Sequence, residues 1–189
     1  MSIQLKYKKL KYEIKYLTAE KEELVALLSE VLPKFESEFR KLVPEFEQVN
    51  EKVKQESRKK SKKEITNEPN KSNSVKKVYR RIVTRTHPDK LEQLPNTHLK
   101  KGLIKKYKEA VNSYKNNDIV SLFDLADELD IKLPEIDESH IGMMTKQVNA
   151  LEREINAYRM SNALIWYNSE NKEETMKQII EALRQAGRI

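Results

Sequence analysis

A chain of 189 residues, 38% hydrophobic and 35% charged, has room for one or two small helical units and none for the core of a large enzyme. Its 3 glycines and 6 prolines are too few for a sheet with many tight turns, while abundant lysine, glutamate, leucine and isoleucine favour long helices, so the expected class is all-α. The lack of cysteine excludes disulfides, thiolate zinc sites and a thiol nucleophile, and a formal charge of +7 points to nucleic acid, acidic proteins or anionic membrane surfaces as possible partners.

The opening MSIQLKYKKLKYEIKY has no uninterrupted apolar core of the kind a signal peptide carries, and no apolar run approaches the ~20 residues of a membrane span. The expectation is a soluble cytoplasmic protein, with the nucleus not excluded, and no membrane partner. From Ile3 the apolar residues recur in alternating steps of four and three through Tyr7, Leu10, Ile14, Leu17, Leu24, Leu28, Val31 and Phe35, broken at Lys21. That spacing is a coiled-coil seam. Pro33 is expected to disturb the helix, and Phe39, Leu42, Phe46 and Val49 continue the stripe past it, so residues 1–49 form one long helix or a helical pair.

Residues 50–74 contain Val53 and Ile65 as their only sizeable apolar side chains, too little to offset the entropy of ordering them, and are expected to be a flexible charged linker. Its run SRKKSKK is read as a solvated charge stretch in preference to a nuclear-targeting or nucleic-acid patch.

Residues 75–133 are expected to form a helical head. Val75, Val78, Tyr79, Ile82 and Val83 share one helical face, which leaves Lys76, Lys77, Arg80, Arg81 and Arg85 on or beside the exposed one. The polar turn HPDKLEQLPN follows, and helical spacing resumes with Leu99, Leu103, Tyr107, Ala110, Val111 and Tyr114 behind an N-cap at Asn96 or Thr97. A short helix with Leu122, Phe123, Leu125, Ala126 and Leu129 starts near Asp118 or Ser121 and ends before an extended KLPE.

Residues 139–187 carry a second seam, Ile141, Met144, Val148, Leu151, Ile155, Tyr158, Asn162 and Ile165, then a terminal helix with Met176, Ile179, Ile180 and Leu183 closed by Gly187. The two seams can pair with each other, antiparallel, or between the chains of a homodimer. Ile165, Trp166 and Tyr167 form an aromatic spot, read as a buried hinge ahead of a partner anchor.

The most informative stretch is VKKVYRRIVTRTHPDK followed by LIKKYKEAVNSYKNND. It resembles the J domain of DnaJ-type co-chaperones. Val75, Lys76, Lys77, Val78, Tyr79, Arg80 and His87 to Lys90 match that family's second helix and its His-Pro-Asp-Lys ending, and Tyr107, Ala110, Ser113 and Tyr114 echo its third helix. The resemblance spans residues 75–118. It implies a J-like helical hairpin flanked by coiled-coil helices, and a partner that is a DnaK-type heat-shock chaperone ATPase. It also implies that His87, Pro88 and Asp89 stimulate ATP hydrolysis, while Lys76, Lys77, Arg80, Arg81, Arg85 and Lys90 steer docking on an acidic surface. No cofactor or metal is implied, and the client is not. The family's Tyr-x-x-Leu-Gly first helix is missing before Val75, so the hairpin must find its packing surface in residues 119–133, in a coiled coil or in a partner. Thr86 stands where an aromatic residue is usual.

Elementary chemistry leads the same way: Pro88 holds its own φ and pushes His87 out of the α region, so the helix must end there on a rigid turn. Asp89 is then an exposed carboxylate able to take a bidentate hydrogen bond from a partner arginine. The alternatives are a nucleic-acid reader built on two basic helices and a purely structural coiled-coil assembly protein; Asp89 would repel phosphate, which counts against the first. His87, His98 and His140 have no spacing for a metal site and are read as surface or capping residues, and no constellation for catalysis is visible.

Overall fold

A computed structural model describes residues 2–44, 72–92, 95 and 98–189. Phe46, Val49, the charged stretch up to position 71 and the expected N-cap at Asn96 or Thr97 lie outside the described residues. Every described regular element is helical: α1 (Ile3–Leu42), α2 (Asn73–Thr86), a 3-10 turn (Pro88–Leu91), α3 (His98–Lys115), α4 (Ile119–Glu128), α5 (Glu138–Arg159), α6 (Asn162–Asn168) and α7 (Lys172–Gln185). The fold is all-α.

Helix α1 passes through Pro33 without ending there, so the long helix is realised and not the helical pair. Proline removes one backbone donor, which would have bonded the carbonyl of Ser29. Both Ser29 and Pro33 are solvent-exposed, so water can take that carbonyl and the apolar stripe beneath keeps the helix going. Pro44 is what ends it, because the residue before a proline is driven out of the α region. The backbone N–H of Val43 still donates to Phe39 at 2.9 Å.

The chain divides into two compact units, one from Met1–Tyr16 with Glu68–Leu151 and the other from Leu17–Asn67 with Glu152–Ile189. In the first, α2, α3 and α4 pack against one another. Val75, Val78 and Ile82 of α2 meet Ala110 of α3 and Ile119, Leu122, Phe123 and Ala126 of α4 in a buried core. Full burial of a side chain such as Ile82 or Phe123 stabilises the unit by about 1.5–3 kcal/mol. Asp118 caps α4 by accepting from the Ser121 N–H at 3.1 Å, and Gln147 of α5 donates to the same carboxylate at 2.9 Å.

The packing surface that the hairpin lacks in its own sequence comes from α4 and from the first turns of α1. Lys11 and Lys15 of α1 reach Asp124 of α4 at 2.5 and 2.7 Å. Partial burial alone would raise the Asp124 pKa, but the two lysine hydrogen bonds outweigh it and hold the carboxyl below its ordinary value. The same bond to Asp124 raises the Lys11 pKa. Lys6 near the start of α1 also pairs with Glu138, the first residue of α5, at 3.6 Å. An antiparallel pairing would keep those two helix starts apart, and this ion pair brings them together.

His140, expected at the surface or in a cap, is fully buried. Its backbone N–H donates to the Asp137 carboxylate at 3.0 Å while the Asp137 N–H donates back to its Nδ1 at 3.2 Å, a reciprocal cap of α5 with histidine in the place of the usual glutamate. The Nε2 edge shares a hydrogen bond with the Ser74 hydroxyl at 2.8 Å. Ser, His and Asp stand here in the order of a nucleophilic relay. The imidazole is closed to solvent, however, the Ser74 hydroxyl is also bonded to Ser72, and Ser74 lines neither described cleft. The cluster is a clasp joining the start of α2 to the start of α5.

In the second unit Val31, Phe39 and Val43 of the α1 end close on Ala163, Leu164 and Trp166 of α6 and on Met176, Ile179 and Ile180 of α7. Phe35 meets Trp166 edge-on, with ring centroids 5.7 Å apart. Lys21 pairs with Glu154 at 2.5 Å, and Arg159 with Glu20. The second seam does not continue to Asn162 and Ile165. Helix α5 stops at Arg159, Ser161 caps a new helix by accepting from the Leu164 N–H at 3.4 Å, and Ile165 faces outward while Leu164 and Trp166 turn in. Gly187 adopts φ +63°, and the bonds Gly187 to Arg184 and Arg188 to Leu183 close α7 in a Schellman motif. Among the described residues no helix is long and apolar enough to cross a membrane.

Candidate partner-docking site

Helix α2 begins at Asn73, behind Ser72, whose hydroxyl accepts from the Ser74 N–H at 3.3 Å. It runs fourteen residues to Thr86 before Pro88 ends it, and His87 takes the extended conformation, φ −61° and ψ +129°, that a residue before proline prefers. The His87 N–H still donates to Val83 at 2.8 Å, so the helix hydrogen-bonding runs into the turn without a gap.

The turn is then held from three sides. The Lys90 N–H donates to the His87 carbonyl at 3.0 Å, the Asp89 N–H donates to His87 Nδ1 at 3.4 Å, and Leu91 is buried beneath. The His87 ring meets Tyr107 of α3 edge-on, with centroids 5.2 Å apart. About two helical turns earlier Tyr79 stacks on Tyr114 at 3.9 Å. Burial, then the neighbouring Tyr107 and Tyr114, raises the Tyr79 pKa, so the Tyr79 phenol stays a neutral hydrogen donor at physiological pH. Thr86 is fully buried and returns its hydroxyl to the Ile82 carbonyl at 2.8 Å, filling with a small residue the place where an aromatic one was expected.

Asp89 emerges from this frame with its side chain 79% exposed and His87 Nδ1 3.5 Å away. Backbone geometry rather than a side-chain partner fixes its direction, so its carboxylate oxygens remain open to an incoming donor.

The six cations named from the sequence do not share one environment. Lys77, Arg80 and Lys90 are exposed and Lys76 is half-buried, and none of the four forms an ion pair with another described residue. Arg81 and Arg85 instead reach the chain after α4: Arg81 donates to the Lys132 carbonyl at 3.4 Å and Arg85 to that of Leu129. The structure thus leaves Asp89 and Lys90 exposed beside half-buried His87 and Pro88, while Arg80, Arg81 and Arg85 line a cleft of about 400 Å3 that also touches Asp130, Ile131 and Lys132. These contacts span more than forty residues of sequence, and no local spacing announces them. The clasp at His140 did leave a signal, since Asp137 and His140 stand at capping-box spacing.

Among the described residues no three histidine, aspartate or glutamate side chains converge as a metal site would require. Comparison with protein-family models, curated proteins and solved structures found no match to this chain.

Proposed function

We propose that the chain is a co-chaperone that docks on a DnaK-type heat-shock ATPase through α2 and the His87-Pro88-Asp89 turn and accelerates its ATP hydrolysis. The observation that carries this reading is the pairing of an exposed, backbone-held Asp89 carboxylate with a strip of exposed cations, Lys77 and Arg80 on the helix leading into it and Lys90 in the turn just after it. Such a strip attracts an acidic surface and raises the association rate, while Asp89 supplies one directional charge-assisted bond to an arginine. His87 positions the turn through Tyr107 and is not itself a catalytic group. The resemblance to J domains over residues 75–118 supports the same partner and leaves the client open. A nucleic-acid partner is disfavoured because Asp89 stands where phosphate would approach.

The test is single-turnover ATP hydrolysis by a DnaK-type chaperone with the wild-type chain, Asp89→Asn and His87→Gln. Stimulation should be lost in Asp89→Asn and sharply reduced in His87→Gln, and the wild-type effect should weaken as salt rises. A folded wild-type chain that leaves the rate unchanged refutes the reading and favours the structural or nucleic-acid alternative.

A further inference from the structure

We propose that the cleft between α2 and the segment following α4 is a second binding site, which takes an extended acidic peptide of another protein with carboxylates on alternate residues. The site shares Arg80 with the ATPase reading but does not depend on it, because it is built on Arg81, Arg85 and Lys132 and not on the His-Pro-Asp turn.

Its charge is one-sided: Arg80, Arg81, Arg85 and Lys132 line it against the single carboxylate of Asp130. The two arginines are ordered before any ligand arrives, because each spends one N–H on a backbone carbonyl, of Lys132 and of Leu129. A guanidinium has five donors, so each keeps the means for a bidentate carboxylate bond at reduced entropic cost.

Spacing selects the ligand. Arg81 and Arg85 stand one turn apart, about 6 Å along the helix axis. Alternate side chains of an extended peptide lie on one face about 6.6–6.8 Å apart, so glutamates at positions n and n+2 can meet both guanidiniums. Single-stranded nucleic acid also repeats its charge, but it depends on aromatic platforms for its bases, and no aromatic side chain lines this cleft. Ile131 forms an apolar wall, and a volume of about 400 Å3 suits a short segment better than a long polymer.

The cleft is held open by a backbone device. Asp130 sits at φ +50°, the Asp130 N–H donates to Asp127 at 3.0 Å and the Ile131 N–H to Ala126 at 2.9 Å, which ends α4 in a Schellman motif and turns the next carbonyls toward the arginines.

The test is fluorescence anisotropy of the full chain with a labelled hexapeptide alternating glutamate and alanine, against a peptide of the same composition with its glutamates adjacent. The alternating peptide should bind at least several-fold tighter, and Arg85→Gln should weaken it on the order of tenfold. Lys132→Gln, which leaves both arginine bonds to the backbone in place, should weaken it less, and Asp130→Asn should tighten it. Asp89→Asn should leave peptide binding unchanged, which separates this site from the ATPase reading. Equal affinity for the two peptides, displacement of the peptide by oligothymidine at lower concentration, or no effect of Arg85→Gln and Lys132→Gln in folded protein would overturn the proposal.

Discussion

Removing the imidazole of His140 takes away its bond to Ser74, which joins the start of α2 to the start of α5, and leaves a buried void with the Asp137 N–H short of a partner. His140→Ala is therefore expected to cost about 2–4 kcal/mol in denaturant unfolding, whereas Ser74→Ala should cost about 1 kcal/mol. Equal small effects would mean the clasp is slack. Asp124 gives a pH-dependent counterpart. Its folded-state pKa lies below the ordinary 3.8, so the unfolded chain binds the proton more readily. The stabilisation is then fully present above the unfolded value and is lost as pH falls through the folded one. Because the pair is partly solvated, Asp124→Asn should cost only about 1 kcal/mol at neutral pH and nothing measurable in strong acid. The same loss at both pH values would assign the effect to packing. Asp89→Asn touches an exposed side chain and should leave stability within about 0.5 kcal/mol, so any lost activity in that variant is not a folding defect.

At the scale of elements, periodicity located the seam of α1, the amphipathic α2 and the later part of the apolar face of α3, whose first expected member, Leu99, is exposed. It also placed the break at His87, since proline acts on its own neighbours and needs no tertiary context. Pro33 shows the converse. A proline on a solvated face of a long helix costs one bond but does not stop the helix when the stripe beneath is buried. Pro33→Ala should restore that bond and raise the stability of the unit by roughly 1–3 kcal/mol, read as a shift of the urea midpoint. No shift would mean the Ser29 carbonyl is already well satisfied. The second seam was over-extended for a similar reason: heptad spacing at Asn162 and Ile165 continued on paper, while the capping chemistry of Ser161 started a new helix. The bonds of Arg81 and Arg85 to the chain after α4 were illegible because they depend on where a remote carbonyl lands.

Taken whole, the chain has two cores, one around Ile82, Phe123 and Met144 and one around Leu164, Trp166 and Met176, each inside its own unit. Helix α2 carries five cationic side chains and no acidic one, and its apolar face is sunk in α3 and α4. Since Lys6–Glu138, Lys21–Glu154 and Glu20–Arg159 join α1 to α5 within one chain, light scattering should find a monomer near 22.3 kDa. A dimer would show that a further face of these helices is used between chains. The central claim is that an ATPase partner meets the chain at the His-Pro-Asp turn, and site-specific photo-crosslinking to a purified, ATP-loaded DnaK-type chaperone tests it most directly. A photoreactive residue at Lys90 should give an adduct that disappears when Asp89→Asn is added, while the same probe at Lys172 in the other unit gives none. Capture from position 172 alone, from both positions alike, or from neither would contradict the account.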